Sequence, residues 1–66
     1  MYYLLAQEYL DGVLLDNWMI KDPITNKNYI YKNFQKAYSE SKRLSHEVNR
    51  REIRVIVVHS KFTILD

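Results

Sequence analysis

Two histidines and four serines are the residues of this chain that could support proton transfer or nucleophilic catalysis. Such chemistry needs a titratable group held beside its reaction partner in a concave pocket. His46 and His59 are thirteen positions apart and have no ligand spacing around them, and no serine lies in a nucleophile-elbow sequence. We therefore expect no catalytic residues and a protein that is not an enzyme.

Metal and cofactor chemistry find no support in the composition. The chain has no cysteine, which excludes disulfides and cysteine-based zinc sites. It has a single glycine, so no glycine-rich loop can cradle a phosphate group. We expect no metal site and no cofactor.

The basic residues could bind nucleic acid. Residues 1–26 hold four carboxylates against one lysine, a net charge of −3, whereas residues 27–66 hold nine Lys/Arg against four carboxylates, a net +5. This asymmetry predicts either a phosphate-binding face or two surfaces that attract each other in an oligomer. The nucleic-acid candidates are Lys42, Arg43, Arg50, Arg51 and Arg54. Against them, Glu40 and Glu47 interrupt the positive charge, as on a solvated helix face.

Aromatic and aliphatic side chains could form a protein interface. The chain has six tyrosines and one tryptophan, residue types enriched at interface hot spots. Tyrosine also packs well in strands, so each one alone is compatible with a structural role. The interface candidates are Trp18, Tyr29, Tyr31, Ile56 and Val58.

One helix is predicted over residues 33–50, with Asn33 as its N-cap. Seven residues recur at helical spacing and form one apolar stripe with small serines in it. They are Phe34, Ala37, Tyr38, Ser41, Leu44, Ser45 and Val48. This helix is the element that the rest of the chain must pack against.

Strands are predicted on both sides of the helix. Residues 2–9 fit a strand or a helical stripe, and the Asp11-Gly12 hairpin signal that follows favours the strand. Residues 13–21 form a second strand with a bulge or bend at Asp16-Asn17, residues 22–27 a turn, and residues 28–32 a third strand. Residues 53–58 and 61–65 form the last two strands.

The predicted fold is therefore α+β, a small antiparallel sheet in the order β-β-β-α-β-β with one amphipathic helix on one face. Residues 1–66 form a single domain. One helix covers only part of a sheet, and a chain of 66 residues buries little surface by itself. We expect the uncovered face to drive assembly into a homodimer or a higher homo-oligomer.

The expected function is that of a small interaction protein that binds a protein target, with nucleic-acid binding as the alternative. Lys, Asn, Ile and Tyr make up 23 of the 66 residues, which indicates an AT-rich genome. Small cysteine-free chains of this kind are similar to accessory proteins of bacteriophages and mobile elements, which implies a modulator or inhibitor of a host or defence protein. No signal peptide or 20-residue apolar run is visible, so we expect a cytoplasmic protein without membrane contact.

Overall fold

A computed structural model describes residues 1–59 and 63–64. It contains one helix and five strands. In chain order these are β1 (Tyr2–Leu10), β2 (Val13–Met19), α1 (Phe34–Leu44), β3 (His46–Val48), β4 (Arg51–His59) and β5 (Thr63–Ile64). An antiparallel sheet with one helix confirms the predicted α+β class, in the order β-β-α-β-β-β.

The sheet is antiparallel throughout and places its strands in the order β2-β1-β4-β3, with β5 also paired to β4. The longest pairing joins β1 to β4, from Tyr2 opposite His59 to Leu10 opposite Arg51. The two longest strands therefore lie in the interior of the sheet, and β2 and β3 lie at its edges.

The first hairpin confirms the turn predicted at Asp11-Gly12. Both residues have positive φ, 50° and 83°, and the two residues connect Leu10 directly to Val13. That geometry is the tight turn that matches the twist of the flanking strands, and glycine adopts it without steric cost. A bulge follows where Glu8 faces Asp16 and Tyr9 faces Leu14, which leaves Leu15 as the extra residue. The predicted irregularity thus lies one residue earlier than Asp16-Asn17.

The third strand predicted at residues 28–32 is wrong. This segment makes only two isolated bridges, Lys21 with Asn28 and Tyr31 with Tyr2. The chain leaves β1 after Ile20, turns through residues 22–27, and returns to exchange two backbone hydrogen bonds between Tyr31 and Tyr2, at 2.8 and 2.9 Å. Because β2 already occupies the same edge of β1 from Leu5 onward, only the end of β1 remains for the returning chain.

The N-terminus of α1 confirms the prediction, and its C-terminus does not. The Oδ1 of Asn33 accepts hydrogen bonds from the backbone N–H groups of Gln35 and Lys36, at 2.8 and 3.3 Å. The predicted extension to residue 50 is wrong, because the helix ends at Leu44 and Ser45 is its C-cap. The Ser45 hydroxyl donates to the Ser41 carbonyl at 2.8 Å and accepts from the Val55 N–H at 2.9 Å, which ties the end of the helix to β4.

Residues 46–48 form β3, a strand that the helical pattern concealed. A second two-residue turn, Asn49-Arg50, joins β3 to β4, with Val48 paired to Arg51. Both turn residues have positive φ, 49° for Asn49 and 68° for Arg50. Asparagine adopts this conformation readily, whereas an arginine there is strained.

The core lies between α1 and the two interior strands. Its fully or almost fully buried side chains are Leu4, Ala6, Ala37, Val55 and Val57. Ser41 is also buried, and its hydroxyl donates to the Tyr38 carbonyl at 2.7 Å. The small residues Ala37 and Ser41 let the helix approach the sheet closely, as the predicted stripe required.

The last strand was predicted at residues 61–65. Within that range the structure describes β5 at Thr63–Ile64, paired to Val58 and His59. The predicted positions Lys61, Phe62 and Leu65 lie outside the described residues, as does Ser60.

Candidate protein-interaction surface

Exposed apolar side chains are concentrated in one part of the chain. Eight large hydrophobic residues of the described chain are exposed, and six of them lie between positions 13 and 30. They are Val13, Leu14, Leu15, Trp18, Ile24 and Ile30. Four of the six belong to β2. Because a clustered exposed apolar patch on a small protein marks an interaction site more often than chance, β2 is the first candidate.

We call the outer side of β2 the β2 edge; its side chains are Val13, Leu14, Leu15, Asp16 and Trp18. Every β2 residue before Met19 is exposed. In the part of the chain that the structure describes, β1 is the only strand paired with β2. One side of the β2 backbone is therefore open to another chain.

The bulge decides which side chains share a face of β2. Residues directly opposite each other in an antiparallel pair point to the same face. Val13 lies opposite Leu10 and Trp18 opposite Ala6, so both point to the face that carries α1, although they are five positions apart. Leu14 lies opposite Tyr9 on the other face. The β2 edge consequently presents apolar side chains on both faces of the sheet.

Of the predicted interface residues, Trp18 lies on this surface and retains 40% of its exposure. Tyr29 and Tyr31 are half-buried on the segment beyond β2, with their ring centroids 6.4 Å apart. Burial, reinforced by the nearby Glu40 and Tyr29 and opposed by Arg43, raises the pKa of Tyr31 above its ordinary value of 10.0. Tyr31 packs against the core, so it serves the fold more than an exposed contact surface.

The prediction that Ile56 and Val58 are exposed is wrong. They retain only 9% and 1% of their exposure. Both lie on the face opposite α1, where Ile56 is flanked by Leu5 of β1, and Val58 by Tyr3 of β1 and by β5. The neighbouring side chains of β1, with β5 also beside Val58, reduce the exposure of both residues without a second helix.

Two of the predicted nucleic-acid residues lie near the end of α1. The Lys42 Nζ sits 4.9 Å from the ring centroid of Tyr38. The Arg43 guanidinium forms an ion pair of 2.6 Å with Glu40, one turn earlier on the helix. Both cations are exposed, and each is already engaged within the helix.

The other three lie on the sheet. Arg50 pairs with Asp11 at 3.7 Å, beside the first hairpin turn, and Arg51 pairs with Glu8 at 2.7 Å. Arg54 lies opposite Gln7, on the face away from α1, where it contacts Glu52 at 3.0 Å and stacks 4.6 Å from the ring centroid of Tyr9. The five basic residues are thus distributed over the helix, the hairpin end and the far face, and they do not form one patch.

A cavity of about 380 Å³ opens beyond the end of α1. Its lining contains an ionisable set, Glu8, His46 and Arg51, together with Val48, Asn49 and Ile53. Arg51 holds the Glu8 carboxylate, and the His46 Nδ1 lies 2.9 Å from the Leu44 carbonyl. Among the residues that the structure describes, no three His, Asp or Glu side chains are grouped to hold a metal ion.

Of the β2 edge, the sequence pattern predicts only Trp18 as an interface residue, and not Val13, Leu14, Leu15 or Asp16. A signal was present, because a polar pair such as Asp16-Asn17 inside an apolar strand is typical of an edge strand.

Comparisons with protein-family models, with curated proteins and with solved structures find no match for the chain. Among the described residues, no helix has the length and apolar character needed to cross a bilayer.

Proposed function

We propose that the protein is a non-enzymatic interaction protein that binds another protein chain through the β2 edge. The observation that carries this proposal is an edge strand with four exposed large apolar residues, Val13, Leu14, Leu15 and Trp18. Natural proteins usually blunt such edges, because an open backbone with apolar side chains invites strand pairing. Retaining one on a chain this small is explained by a partner that covers it.

The histidine contacts support a role without catalysis. The His46 Nδ1 lies against the Leu44 carbonyl, and the His59 ring packs 5.6 Å from the ring of Tyr2. Neither contact activates a nucleophile, and in the cavity that His46 lines the Glu8 carboxylate is already held by Arg51. The nucleic-acid alternative draws less support, because four of its five cations pair with carboxylates and the fifth lies over an aromatic ring.

Self-association is the second candidate, and the same exposed side chains favour it. A domain of 66 residues gains much from covering apolar surface in a dimer. Sedimentation velocity at micromolar concentration tests it directly. A purely monomeric profile rejects the homodimer and leaves binding to a different chain.

The biological setting follows from composition alone. Abundant Lys, Asn, Ile and Tyr suit an AT-rich phage or mobile-element genome. In that setting the partner is a protein of the host or of its defence systems, and the chain is its modulator or inhibitor.

The proposal is tested by capture of partners with matched variants. Tagged protein is incubated with a host lysate, with and without nuclease, in three forms: wild type, Val13→Lys/Leu14→Lys on the β2 edge, and Val48→Lys on β3. Val48 is 59% exposed on the opposite edge of the sheet, so it controls for added charge. We expect a nuclease-resistant partner that the β2 variant loses and the β3 variant keeps.

The captured protein is then purified and mixed with the chain for amide hydrogen exchange. Slower exchange along Val13–Met19, with no change at His46–Val48, supports the proposal. Capture that survives the β2 variant, or that disappears with nuclease, overturns it.

A further inference from the structure

We infer that the β2 edge accepts an extended segment of another protein in which a lysine or arginine stands between apolar residues. This inference rests on the proposed function and names the chemistry of the partner. It follows from the open backbone of β2, from the apolar side chains on both of its faces, and from Asp16, the carboxylate of β2, which forms no ion pair with the described residues.

The backbone supplies the first part of the site. The Asn17 N–H is bound by the Asp16 Oδ1 at 2.8 Å, so it donates to a side chain and not to β1. An added strand replaces such local contacts with main-chain hydrogen bonds, while the pockets between alternate side chains select its sequence.

The side chains supply the second part. Val13 and Trp18 stand on the α1 face with exposures of 62% and 40%, and Leu14 stands on the opposite face at 45%. An extended segment alternates its side chains between the two faces, so apolar residues at every second position meet Val13 and Trp18, and an apolar residue between them meets Leu14.

Asp16 supplies the charge. It lies in the middle of β2, exposed and facing Glu8 across the ladder. Glu8 is neutralised by Arg51 and Asp11 is paired with Arg50, whereas no Lys, Arg or His of the described chain lies within 4 Å of the Asp16 carboxylate. A cation on the incoming strand completes this set of pairs and adds electrostatic attraction between the two chains.

The same carboxylate disfavours a second copy at this edge. In a twofold antiparallel pairing over the whole of β2, the middle of the strand faces the middle of its copy. That arrangement brings two Asp16 carboxylates and two bulges together, and like charges placed opposite each other in a ladder are destabilising. A segment with a basic residue replaces this repulsion with attraction.

Trp18 is the single tryptophan of the chain, so its fluorescence reports directly on the β2 edge. The probes are two eight-residue peptides of alternating valine and threonine that differ only in a central lysine or glutamate. We expect the lysine peptide to shift the Trp18 emission and to bind roughly 10-fold more tightly than the glutamate peptide at low salt.

Two variants localise the effect. Asp16→Asn should remove most of the preference for lysine, whereas Glu47→Gln, an exposed carboxylate on β3, should leave it intact. Equal affinity for the two peptides, or a preference that survives Asp16→Asn, overturns the inference. Trp18 emission that depends on protein concentration without peptide, with dimer in sedimentation, also overturns it and assigns the edge to a second copy.

The outcomes separate this inference from the proposed function. Lysate capture that depends on β2 without any lysine preference leaves the function standing and removes the basic segment. Capture that ignores β2 removes both, whatever the peptides do.

Discussion

β2 and β4 are both rich in apolar residues, yet the structure treats them in opposite ways. Val13–Met19 holds five apolar residues out of seven and is exposed from Val13 to Trp18, whereas Val55–Val58 in β4 is buried. β4 has β1 on one side and β3 and β5 on the other, but β2 has only β1 in the described chain. Position in the sheet, more than composition, decides which apolar strand is left for a partner.

The edges of the two strands differ as well. Between β3 and β5, a short part of β4 has no strand paired on that side in the described chain. There Ser45 accepts the Val55 N–H at 2.9 Å. A side chain from the end of α1 thus satisfies a backbone group that no strand reaches. On β2 the comparable contact, Asp16 to Asn17, is local and exposed. The chain protects one edge and leaves the other open.

The largest expected effect comes from the same truncation in the two strands. Val57→Ala removes fully buried methyl groups and leaves a cavity, so it should lower the free energy of unfolding by about 2–3 kcal/mol. Val13→Ala, at a residue 62% exposed, should change it by less than about 0.5 kcal/mol. Urea unfolding followed by circular dichroism measures both, and equal losses would contradict the comparison.

A somewhat smaller effect is expected at the protected edge. Ser45→Ala leaves the Val55 N–H without its acceptor and the Ser41 carbonyl without a hydroxyl donor, which should cost about 1–3 kcal/mol. Ser39→Ala, at an exposed position of α1, is the control and should be neutral. Faster amide exchange at Val55 in the first variant alone identifies the cause. A neutral Ser45→Ala would show that this edge needs no cover.

The two hairpin turns provide the third test. Arg50 holds φ at 68° without being glycine, so Arg50→Gly should raise the free energy of unfolding by about 1 kcal/mol. Its ion pair with Asp11 spans 3.7 Å between exposed groups and offsets little. Gly12→Ala should lower stability by a similar amount, because φ is 83°. Nothing lies within 4 Å of the added Cβ, so the backbone conformation alone sets this cost. Thermal unfolding of the two variants should move in opposite directions.

The smallest effect concerns Tyr31, where the segment after β2 returns to β1. Its folded pKa lies above the unfolded 10.0, so the stabilisation from this group is present below pH 10 and is lost as pH rises through the folded pKa. Absorbance at 295 nm should show a late ionisation step from Tyr31, above pH 10. Tyr31→Phe should remove that step and Tyr3→Phe should keep it; a late step that survives Tyr31→Phe assigns it to another residue.

The sequence predicted the elements whose signals are local. Asp11-Gly12, the Asn33 cap and the stripe from Phe34 to Leu44 all depend on near neighbours, and all three are observed. The alternation of Ile53, Val55 and Val57 likewise identified the strand under the helix.

The failures arose where distant contacts override local pattern. Helical periodicity continues to Val48, but the bond between Ser45 and Val55 ends the helix four residues earlier. Asn49-Arg50 gave no hairpin signal, because arginine does not favour the left-handed conformation that it adopts there. Strand order is also non-local, so the sequence pattern predicts Ile56 and Val58 as exposed, whereas the structure exposes the side chains of β2.

The long ladder between β1 and β4 also constrains when this protein can fold. Tyr2–Leu10 finds its main partner only after residues 11–50 have been added, and at cellular synthesis rates that interval is about 2–8 s. Throughout it, β1 and the apolar β2 hairpin lack β4, whose Val55 and Val57 complete the core. A nascent chain in this state exposes apolar side chains and an unpaired strand edge, which makes it prone to aggregate.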